Sequence, residues 1–439
     1  MGSSWVETPI GDIARVRSGY AFKSADWVDH GTPVVKIANV KEGRLEMDGA
    51  SLVDEVVASK AREFELAAGD ILIAMTGYVG DTALVTERDL PLLLNQRVGK
   101  FFVRDSTRLD SRFLFYVLRQ PSIREEIKSR GYGSAQPNVS PSLIEGVGIP
   151  LPPLDEQRRI AHIIGTLDDK IELNRRMNET LEEMARALFK SWFVDFDPVR
   201  AKSEGRDPGL PKHLADLFPD RLVDSELGEI PEGWELLPVD DEFRVTIGRT
   251  PPRKEAHWFS KEATDVPWVS IRDMGQAGTH VHDVAEYLTH DAVSTHRVEV
   301  VPAGTVLLSF KLTVGRVSVA SRPLATNEAI AHFHPRSADS VGGLYLYSYL
   351  KQFDYGTLGN TSSIATAVNS KSVRAMPLLR PSAEVAGAFA RESLPLFAKL
   401  ESLDAETRTL ADSRDALLKV LLIPNRQVNA SGGQDDRSG

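Results

Sequence analysis

Gly69-Asp70-Ile71-Leu72-Ile73, followed by Gly80, recurs about 235 residues later as Gly304-Thr305-Val306-Leu307-Leu308, followed by Gly315. Each copy is a short apolar run between glycines, which is the pattern of a buried strand that ends in a turn. A segment that returns with the same internal spacing indicates a duplicated structural unit. This repeat therefore decides the fold.

The repeat extends in both directions from this strand. Four further sets of positions match: Trp5, Pro9 and Gly19 with Trp234, Pro238 and Gly248; Pro33–Ile37 with Pro267–Ile271; Asn95 with Asn327; and Ile149–Leu151 with Met376–Leu378. The matched positions are turn and core residues, whereas the polar residues between them mostly differ. Two copies of one fold that recognise different targets would show this pattern.

Composition limits the class of protein. The chain has 439 residues, which is too long for a single hydrophobic core and predicts two or three domains. It contains no cysteine, which excludes disulfides and thiolate metal sites, and no apolar run of the roughly 20 residues that a membrane helix requires. With no secretory signal visible after Met1 either, we expect a cytoplasmic protein.

Two observations argue against particular kinds of site. The ten histidines are scattered, and we expect His280 and His282 to lie in a surface turn or strand, so no metal site is predicted. The formal net charge of −10 argues against nucleic-acid binding, unless the acidic residues cluster away from a locally positive groove.

The predicted organisation is an α+β fold with two pseudo-symmetric globular domains, joined by two long helices that form an antiparallel coiled coil. The predicted segments are a first domain at 1–153, a central heptad helix at 154–197, a connector at 198–223, a second domain at 224–381, a C-terminal heptad helix at 382–424 and a disordered tail at 425–439. In the first domain we predict strands at Val34–Val40, Asp70–Thr76 and Lys100–Val103, and helices at Ser111–Gln120 and Ser122–Ser129, each capped by its first serine.

Both long helices show apolar residues at alternating steps of four and three, the spacing of a coiled-coil seam. The first seam comprises Leu167, Ile171, Asn174, Asn178, Leu181, Leu188 and Trp192, and the second comprises Leu396, Leu400, Leu403, Leu410, Leu417 and Leu421. The two seam asparagines cost stability but fix register and partner. Pro395 predicts a kink or a late start of the second helix.

No catalytic constellation is visible. The chain lacks a phosphate-binding G-x-x-x-x-G-K-[ST] loop, a dinucleotide fingerprint and a nucleophile elbow, so we expect a binding protein and not an enzyme. The domains instead offer basic and amide residues in turns beside strands, which are the residue types that contact phosphates and base edges. The candidates for DNA binding are Arg17, Lys23, Lys36, Asn39, Arg97, Arg130, Gln136 and Asn138 in the first domain, and Arg249, Arg253, Lys254, Arg272, Lys311, Arg316, Asn327 and Asn360 in the second.

Three segments resemble a known family. They are Leu151-Pro-Pro-Leu-Asp-Glu-Gln-Arg-Arg-Ile-Ala161 with its continuation to Phe193, Leu227-Gly-Glu-Ile-Pro-Glu-Gly-Trp234, and the closing stretch Leu410–Leu422. Together they are similar to the DNA specificity subunit of Type I restriction–modification systems, over nearly the whole chain. The second helix departs from the family pattern, because it keeps Pro381 and Glu384 but lacks the Asp-Glu-Gln run.

The resemblance implies a non-catalytic subunit with two target recognition domains, each reading one block of a bipartite double-stranded DNA sequence. It implies two modification subunits that carry S-adenosylmethionine, motor–nuclease subunits that use ATP, and no cofactor on this chain. The alternative is a coiled-coil protein–protein adaptor without DNA recognition, which the acidic charge favours mildly.

Overall fold

The computed structural model describes residues 5–41, 43–131, 138–226, 228–337, 340–359 and 368–422. The chain divides into two compact units. Unit 1 comprises Met1–Glu172 and Arg408–Gly439, and unit 2 comprises Leu173–Thr407. Both divisions fall inside long helices, so each unit contains part of both helices. The tail predicted at 425–439 lies outside the described residues.

Unit 1 mixes short strands with helices. Its strands are β1 Val6–Pro9, β2 Ala14–Ser18, β3 Trp27–Val28, β4 Thr32–Val35, β5 Val40–Lys41, β6 Arg44–Leu45, β7 Ser51–Val53, β8 Ile71–Ala74, β9 Thr82–Leu84, β10 Leu93–Leu94, β11 Val98–Val103 and β12 Gly148–Leu151. Its helices are α1 Ile10–Ile13, α2 Glu55–Lys60, α3 Ser111–Leu118, α4 Pro121–Ser129, α5 Pro141–Glu145 and the first part of α6 Leu154–Phe193.

The strands of unit 1 form two four-stranded sheets with the orders β2-β11-β8-β9 and β10-β4-β7-β3, and β1 pairs with β12. The first sheet is antiparallel, and β10 runs parallel to β4. One core cluster combines Ile10, Ile73 and the buried face of α3 with Ile160 and Ile164 of α6. The start of the long helix thus belongs to the core of this unit.

Two local predictions for unit 1 were wrong. The strand predicted at Val34–Val40 is interrupted by a 3-10 helix at Ile37–Asn39, because the Asn39 Oδ1 accepts a hydrogen bond from the Lys36 backbone at 2.9 Å and closes a turn. The predicted serine caps are absent: the Asp110 carboxylate accepts from Phe113 N at 2.9 Å to start α3, and α4 begins at Pro121 without a side-chain cap. The remaining predicted helices and strands of this unit occur within three residues of their expected ends.

Unit 2 repeats this arrangement with additions. Its strands are β13 Leu222–Ser225, β14 Gly228–Pro231, β15 Glu235–Pro238, β16 Phe243–Ile247, β17 Phe259–Ser260, β18 Val266–Val269, β19 His280–Val281, β20 Glu286–Leu288, β21 Val306–Ser309, β22 Val317–Ala320, β23 Ala325–Thr326, β24 Ile330–Pro335 and β25 Pro377–Arg380. Its helices are the rest of α6, α7 Asp197–Ser203, α8 Lys212–Ala215, α9 Val239–Glu242, α10 Ile271–Gln276, α11 His290–His296, α12 Gly342–Gln352, α13 Ser370–Arg374 and most of α14 Ala383–Leu421.

The sheets of unit 2 have the orders β16-β24-β21-β22-β19 and β17-β20-β18-β23, and β15 pairs with β25. Apart from β19, these are the orders of unit 1 with each strand replaced by its repeat. The predicted duplication and α+β fold are therefore confirmed. The extra strand β19 pairs in parallel with β22 through His280 and Val281, so this histidine lies on a sheet edge.

The long helices pair within unit 2. Asn174 Nδ2 of α6 donates to Glu406 Oε2 of α14 at 2.9 Å, and Asn178 Nδ2 donates to Asp404 Oδ1 at 2.6 Å. As residue numbers rise on α6 they fall on α14, so the two helices are antiparallel, as predicted. The helix α14 continues through Pro395 and begins at Ala383, so the proline does not delay its start.

The predicted seam residues are shielded from solvent. Every predicted seam residue of both helices is buried or half-buried, and Ile171, Asn174, Trp192, Leu400 and Leu403 are buried. The aromatic end of α6, including Trp192, packs into the core of unit 2 against Phe389. Among the described helices, none combines the length and apolar character needed to span a membrane.

Candidate nucleic-acid interface

The same turn precedes the last strand of the main sheet in both units. Asn95 Oδ1 accepts from Arg97 N at 3.1 Å, and Asn327 Oδ1 accepts from Ala329 N at 3.1 Å. The two residues after each asparagine differ between the units: Gln96 and Arg97 in unit 1 correspond to Glu328 and Ala329 in unit 2. The repeated asparagine thus shapes a turn that presents different side chains. The contacts of Asn327 indicate this role, which is to shape the turn.

In unit 1 this turn lines a cleft of about 350 Å³. Its lining residues are Met75, Thr76, Gln96, Arg97 and Asn138. The Thr76 hydroxyl donates to Asn138 Oδ1 at 2.7 Å, and the Arg97 side chain is exposed. The buried Oε1 of Gln96 has no hydrogen-bond partner within the described part of the chain. The cleft thus offers guanidinium and amide groups, the chemistry that hydrogen-bonds guanine and adenine edges.

In unit 2 the corresponding turn carries different chemistry. Glu328 accepts a hydrogen bond from the Thr250 hydroxyl. Burial raises the pKa of the Glu328 carboxyl, but the Thr250 hydrogen bond and the nearby cations Lys311 and Arg253 outweigh it and hold this pKa below its ordinary value. An ionised carboxylate accepts from the amino group of cytosine, whereas it would repel a phosphate.

Arg253 is fixed in place beside this group. Its Nη1 lies 2.7 Å from Glu286 Oε2, and its guanidinium lies 4.2 Å from the ring centre of Phe259 and 4.5 Å from that of Trp268. Such ring and carboxylate contacts orient the planar guanidinium. Arg253 is nevertheless exposed, so a further partner can approach it.

Equivalent hairpin loops beside both clusters expose apolar side chains. Gly77 and Leu312 occupy the same loop position, with φ values of 72° and 62°. Leu312 is 97% exposed, and the neighbouring loop residue Tyr78 of unit 1 is 59% exposed. A leucine in the left-handed region is strained, so the loop holds an apolar group in water at a conformational cost.

The other predicted DNA-binding residues fall into two groups. Arg17, Lys23, Arg249, Lys254 and Arg272 are exposed on their units, although Arg249 Nη1 also donates to the His296 carbonyl oxygen at 2.6 Å. Four are engaged within their units: Lys36 contacts Ser51 at 2.5 Å, Asn39 contacts Glu46 at 2.8 Å, Arg130 contacts Glu126 at 2.7 Å, and Arg316 contacts Ile271 at 2.5 Å. Because of these internal contacts, we do not propose these four side chains as DNA contacts. Gln136 and Asn360 lie outside the described residues.

Burial also affects the role of two of these four side chains, Lys36 and Asn39. Desolvation lowers the pKa of the Lys36 ammonium, which lies 3.8 Å from the Trp27 ring centre. Asn39 is buried, and both of its amide atoms bond to backbone groups. Both side chains therefore stabilise the turn after β4.

Sequence reasoning missed several residues of these clusters. Thr76, Gln96, Tyr78, Thr250, Glu328 and Leu312 were not predicted. A signal was present, because each of these except Thr250 lies next to a repeated asparagine or in the loop before a repeated glycine. Sequence reasoning also predicted no metal site, yet the structure brings Glu299, His332 and His334 together in unit 2.

Comparison with known proteins agrees with the duplicated fold. Residues 2–183 match the Type I restriction modification DNA specificity domain family. The chain is 29% identical over 360 residues to the Type I restriction enzyme HindI specificity subunit of Haemophilus influenzae, covering 71% of this chain and 76% of that protein. It is 24% identical over 369 residues to the MjaIX specificity subunit of Methanocaldococcus jannaschii, covering 82% and 78% of the two chains.

A solved structure has the same fold. The S subunit of a Type I restriction-modification system from M. genitalium superposes with a TM-score of 0.57 at 15% identity, covering 97% of each chain. In sequence and in fold, the chain is thus similar to Type I restriction–modification specificity subunits. The resemblance to Type I specificity subunits that the sequence motifs predicted is therefore confirmed. These relatives are named as specificity subunits, which agrees with the predicted specificity role.

Proposed function

We propose that this chain reads a bipartite double-stranded DNA sequence, and that each unit reads one block through the cluster beside its repeated asparagine. The observation that carries this proposal is that equivalent positions of the two units present different hydrogen-bonding groups. Gln96 of unit 1 corresponds to Glu328 of unit 2, and Arg97 corresponds to Ala329. A duplicated scaffold with exchanged polar groups suits the reading of two unlike blocks.

The chemistry of each cluster suggests its preferred bases. In unit 1, Arg97 suits the two major-groove acceptors of guanine, and Gln96 or Asn138 suits adenine. In unit 2, the Glu328 carboxylate suits the amino group of cytosine, and Lys311 suits a phosphate or guanine. Each bidentate contact would contribute about 1–3 kcal/mol of discrimination between bases.

The pair of long helices is suited to set the length of the spacer, which is the DNA between the two blocks that is not read. Both α6 and α14 continue from one unit into the other, and each is close to 40 residues long. The length of these helices would then set the number of base pairs between the blocks. Inserting one heptad into both helices should change the preferred spacer and leave both blocks unchanged.

The remaining parts of the system would come from other chains. The duplicated architecture suits two identical modification subunits, because each unit offers one of them an equivalent surface. Those subunits would carry S-adenosylmethionine, motor–nuclease subunits would use ATP, and the assembly would act on cytoplasmic DNA. With a net charge of −10, the isolated chain supplies little attraction for phosphates, so we expect weak DNA binding without partners.

Methylation mapping tests the proposal. N6-methyladenine would be mapped across the genome in cells that contain the modification subunit, with and without this chain. A bipartite motif that disappears with the chain supports the proposal. An unchanged map, with the modification subunit shown to be active, contradicts it and favours the adaptor alternative.

A second arm tests the division between units. Arg97→Ala should relax one base of one block, and Glu328→Ala should relax one base of the other block. If both variants relaxed the same block, or neither altered the motif, the assignment of one block to each unit would be wrong.

A further inference from the structure

Two histidines lie side by side on β24 of unit 2. His332 and His334 are two residues apart on the strand, so their side chains point to the same face of the sheet. On the neighbouring edge strand β16, Thr246 lies opposite His332 and Arg244 lies opposite His334. Glu299, from the segment after α11, reaches this face.

The ligand atoms of the three side chains converge. Glu299 Oε2 lies 3.7 Å from His332 Nδ1, and Glu299 Oε1 lies 3.4 Å from His334 Nε2. All three donor atoms lie within 4.8 Å of one another. In a tetrahedral zinc site with bonds of roughly 2.0–2.2 Å, neighbouring ligand atoms are about 3.3–3.5 Å apart. Small side-chain rotations would therefore bring the three donors onto one ion.

We propose that Glu299, His332 and His334 bind a divalent transition-metal ion, with Zn²⁺ as the preferred occupant. Two imidazoles and one carboxylate form a ligand set that zinc accepts, and hard Mg²⁺ or Ca²⁺ would prefer oxygen ligands. This site is independent of the proposed DNA contacts, because it is defined by side chains outside both clusters described above.

The surroundings of His332 orient it as a metal ligand. Its other ring nitrogen, Nε2, lies 2.7 Å from Thr326 Oγ1, and the Thr326 hydroxyl lies 3.2 Å from the Asn327 carbonyl oxygen. If the hydroxyl donates to that carbonyl, its oxygen accepts the proton of Nε2. The lone pair of Nδ1 then points at the cluster. Metal-bound histidines are commonly fixed by such an outer hydrogen bond.

A fourth position and an access route are available. Thr246 Oγ1 lies 3.2 Å from both His332 Nδ1 and His334 Nε2, so the hydroxyl or a water could complete four-coordination. The side chain of His332 is fully buried, whereas that of Glu299 is 32% exposed and admits an ion from solvent. Arg244 Nη2 lies 3.5 Å from Glu299 Oε1 and competes for the carboxylate.

Unit 1 shows that the fold does not require this cluster. Lys100 occupies the position of His332, because it lies opposite Arg17 and Leu72 as His332 lies opposite Thr246 and Leu307. Its ammonium pairs with Asp70 at 2.5 Å. Phe102 likewise occupies the position of His334, so the two histidines are particular to unit 2. A bound ion would fasten the segment after α11 to the sheet edge.

Metal binding by the purified full-length chain tests the proposal. The chain would be treated with a chelator, dialysed, and titrated with Zn²⁺ by calorimetry and with Co²⁺ by visible absorption. We expect one ion per chain, the absorption bands of four-coordinate cobalt, and a higher unfolding temperature with Zn²⁺, because a ligand that binds the folded state stabilises it. Absence of binding at micromolar Zn²⁺ would overturn the proposal.

Variants identify the ligands. Glu299→Gln and His334→Gln should abolish stoichiometric binding, and Thr326→Val should weaken it by roughly 10–100-fold, because it removes the group that orients His332. His282→Gln is the matched control, since it removes a histidine of the same unit outside the cluster and should leave binding unchanged. The assignment would be contradicted if Glu299→Gln and His334→Gln bound the ion as tightly as the unaltered chain does. It would also be contradicted if His282→Gln lost as much binding as those two variants. Should the ligand variants fail to fold, the cobalt spectrum of the unaltered chain decides: four-coordinate bands support the site, and their absence excludes it.

Discussion

Asn174 Nδ2 donates a hydrogen bond to Glu406 Oε2 at 2.9 Å, joining α6 to α14 from a position on α6 that is fully buried. The second amide atom, Asn174 Oδ1, has no hydrogen-bond partner among the described residues. Four residues further along, Asn178 makes the same kind of bond to Asp404. Polar pairs inside an apolar seam are satisfied in only one alignment of the helices, so they specify register at the expense of stability.

Asn174→Leu should therefore raise the free energy of unfolding by about 1–3 kcal/mol, because it removes a buried acceptor that lacks a partner while Glu406 stays in contact with water. Asn174→Ala should lower it, because the truncation leaves a cavity. Denaturant unfolding of the full-length chain would compare the two. If the leucine variant were as unstable as the alanine variant, the hydrogen bond from Asn174 to Glu406 would stabilise the fold by more than the unpaired Asn174 Oδ1 destabilises it.

Asp168→Asn should destabilise unit 1 by about 1.5–3 kcal/mol, the usual contribution of a hydrogen bond to a charged group. Asp168 contacts Arg414 at 3.0 Å and Arg119 at 3.5 Å, and all three side chains are largely buried. The matched control is Asp155→Asn on the same helix, since Asp155 is 90% exposed and lies 3.9 Å from Arg158. The control should change stability little, because exposed ion pairs contribute less than about 1 kcal/mol. Thermal unfolding measures both, and equal effects would contradict the prediction.

Arg97→Ala should weaken the preference for one base pair of one block by about 1–3 kcal/mol, since it removes a candidate bidentate contact from the unit 1 cleft. Lys23→Ala is the control, because Lys23 is exposed on the same unit but does not line that cleft. Its loss should reduce affinity for all sequences alike, if it has any effect. Competition binding of the assembled complex to single-base variants of the target separates these outcomes.

Leu312→Gly should raise the free energy of unfolding by up to about 1 kcal/mol, because glycine adopts a φ of 62° without the steric cost that leucine carries. Leu312→Asn also tolerates this conformation and removes the apolar side chain. If Leu312 contacts DNA, both variants should reduce DNA affinity of the complex although the fold is intact. Unchanged affinity in both would remove this loop from the proposed interface.

The stability of unit 2 should fall as the pH rises above 10. Burial raises the pKa of the Tyr345 hydroxyl well above its ordinary value of 10.0, and this hydroxyl donates to the Leu379 carbonyl at 2.5 Å. Above pH 10 the unfolded chain loses the proton that the folded chain retains, so the contribution of Tyr345 is full below that pH and is lost above it. Tyr345→Phe should reduce the slope of stability against pH between about pH 9 and pH 11, and an unchanged slope would contradict the prediction.

Prediction of the fold from the sequence succeeded where the signal was periodic. The heptad positions of α6 and α14 and the glycine-bounded strands of both units were identified because side-chain spacing follows directly from helix and strand geometry. The turn at Ile37–Asn39 was missed because the Asn39 side chain competes locally with strand pairing. The Asp110 cap of α3 was missed because several neighbouring polar residues could have served, and the serine cap predicted for α4 has no counterpart, since Pro121 starts that helix without a side-chain cap.

Prediction of the site was less complete. Arg97, Asn138, Arg253 and Lys311 belong to the clusters beside the repeated turn. Thr76, Gln96 and Glu328 belong to them too and were not predicted, although each lies next to a repeated asparagine or in the loop before a repeated glycine. Asn39 and Arg316 are of the right residue type and yet are bonded inside their units. Residue type indicates which contacts are possible, and only the packing around a side chain decides whether it remains available.

The sequence by itself determined the duplication, the α+β class, the antiparallel pairing of the long helices and the family resemblance, because each is encoded in repeats, spacing or motifs along the chain. Only the tertiary structure decided which side chains face one another. Glu299 lies 33 residues before His332, and Asn138 lies 62 residues after Thr76. Neither separation follows the periodicity of a helix or a strand. Loops and the order of strands in the sheets bring such residues together, and both depend on the packing of the whole unit.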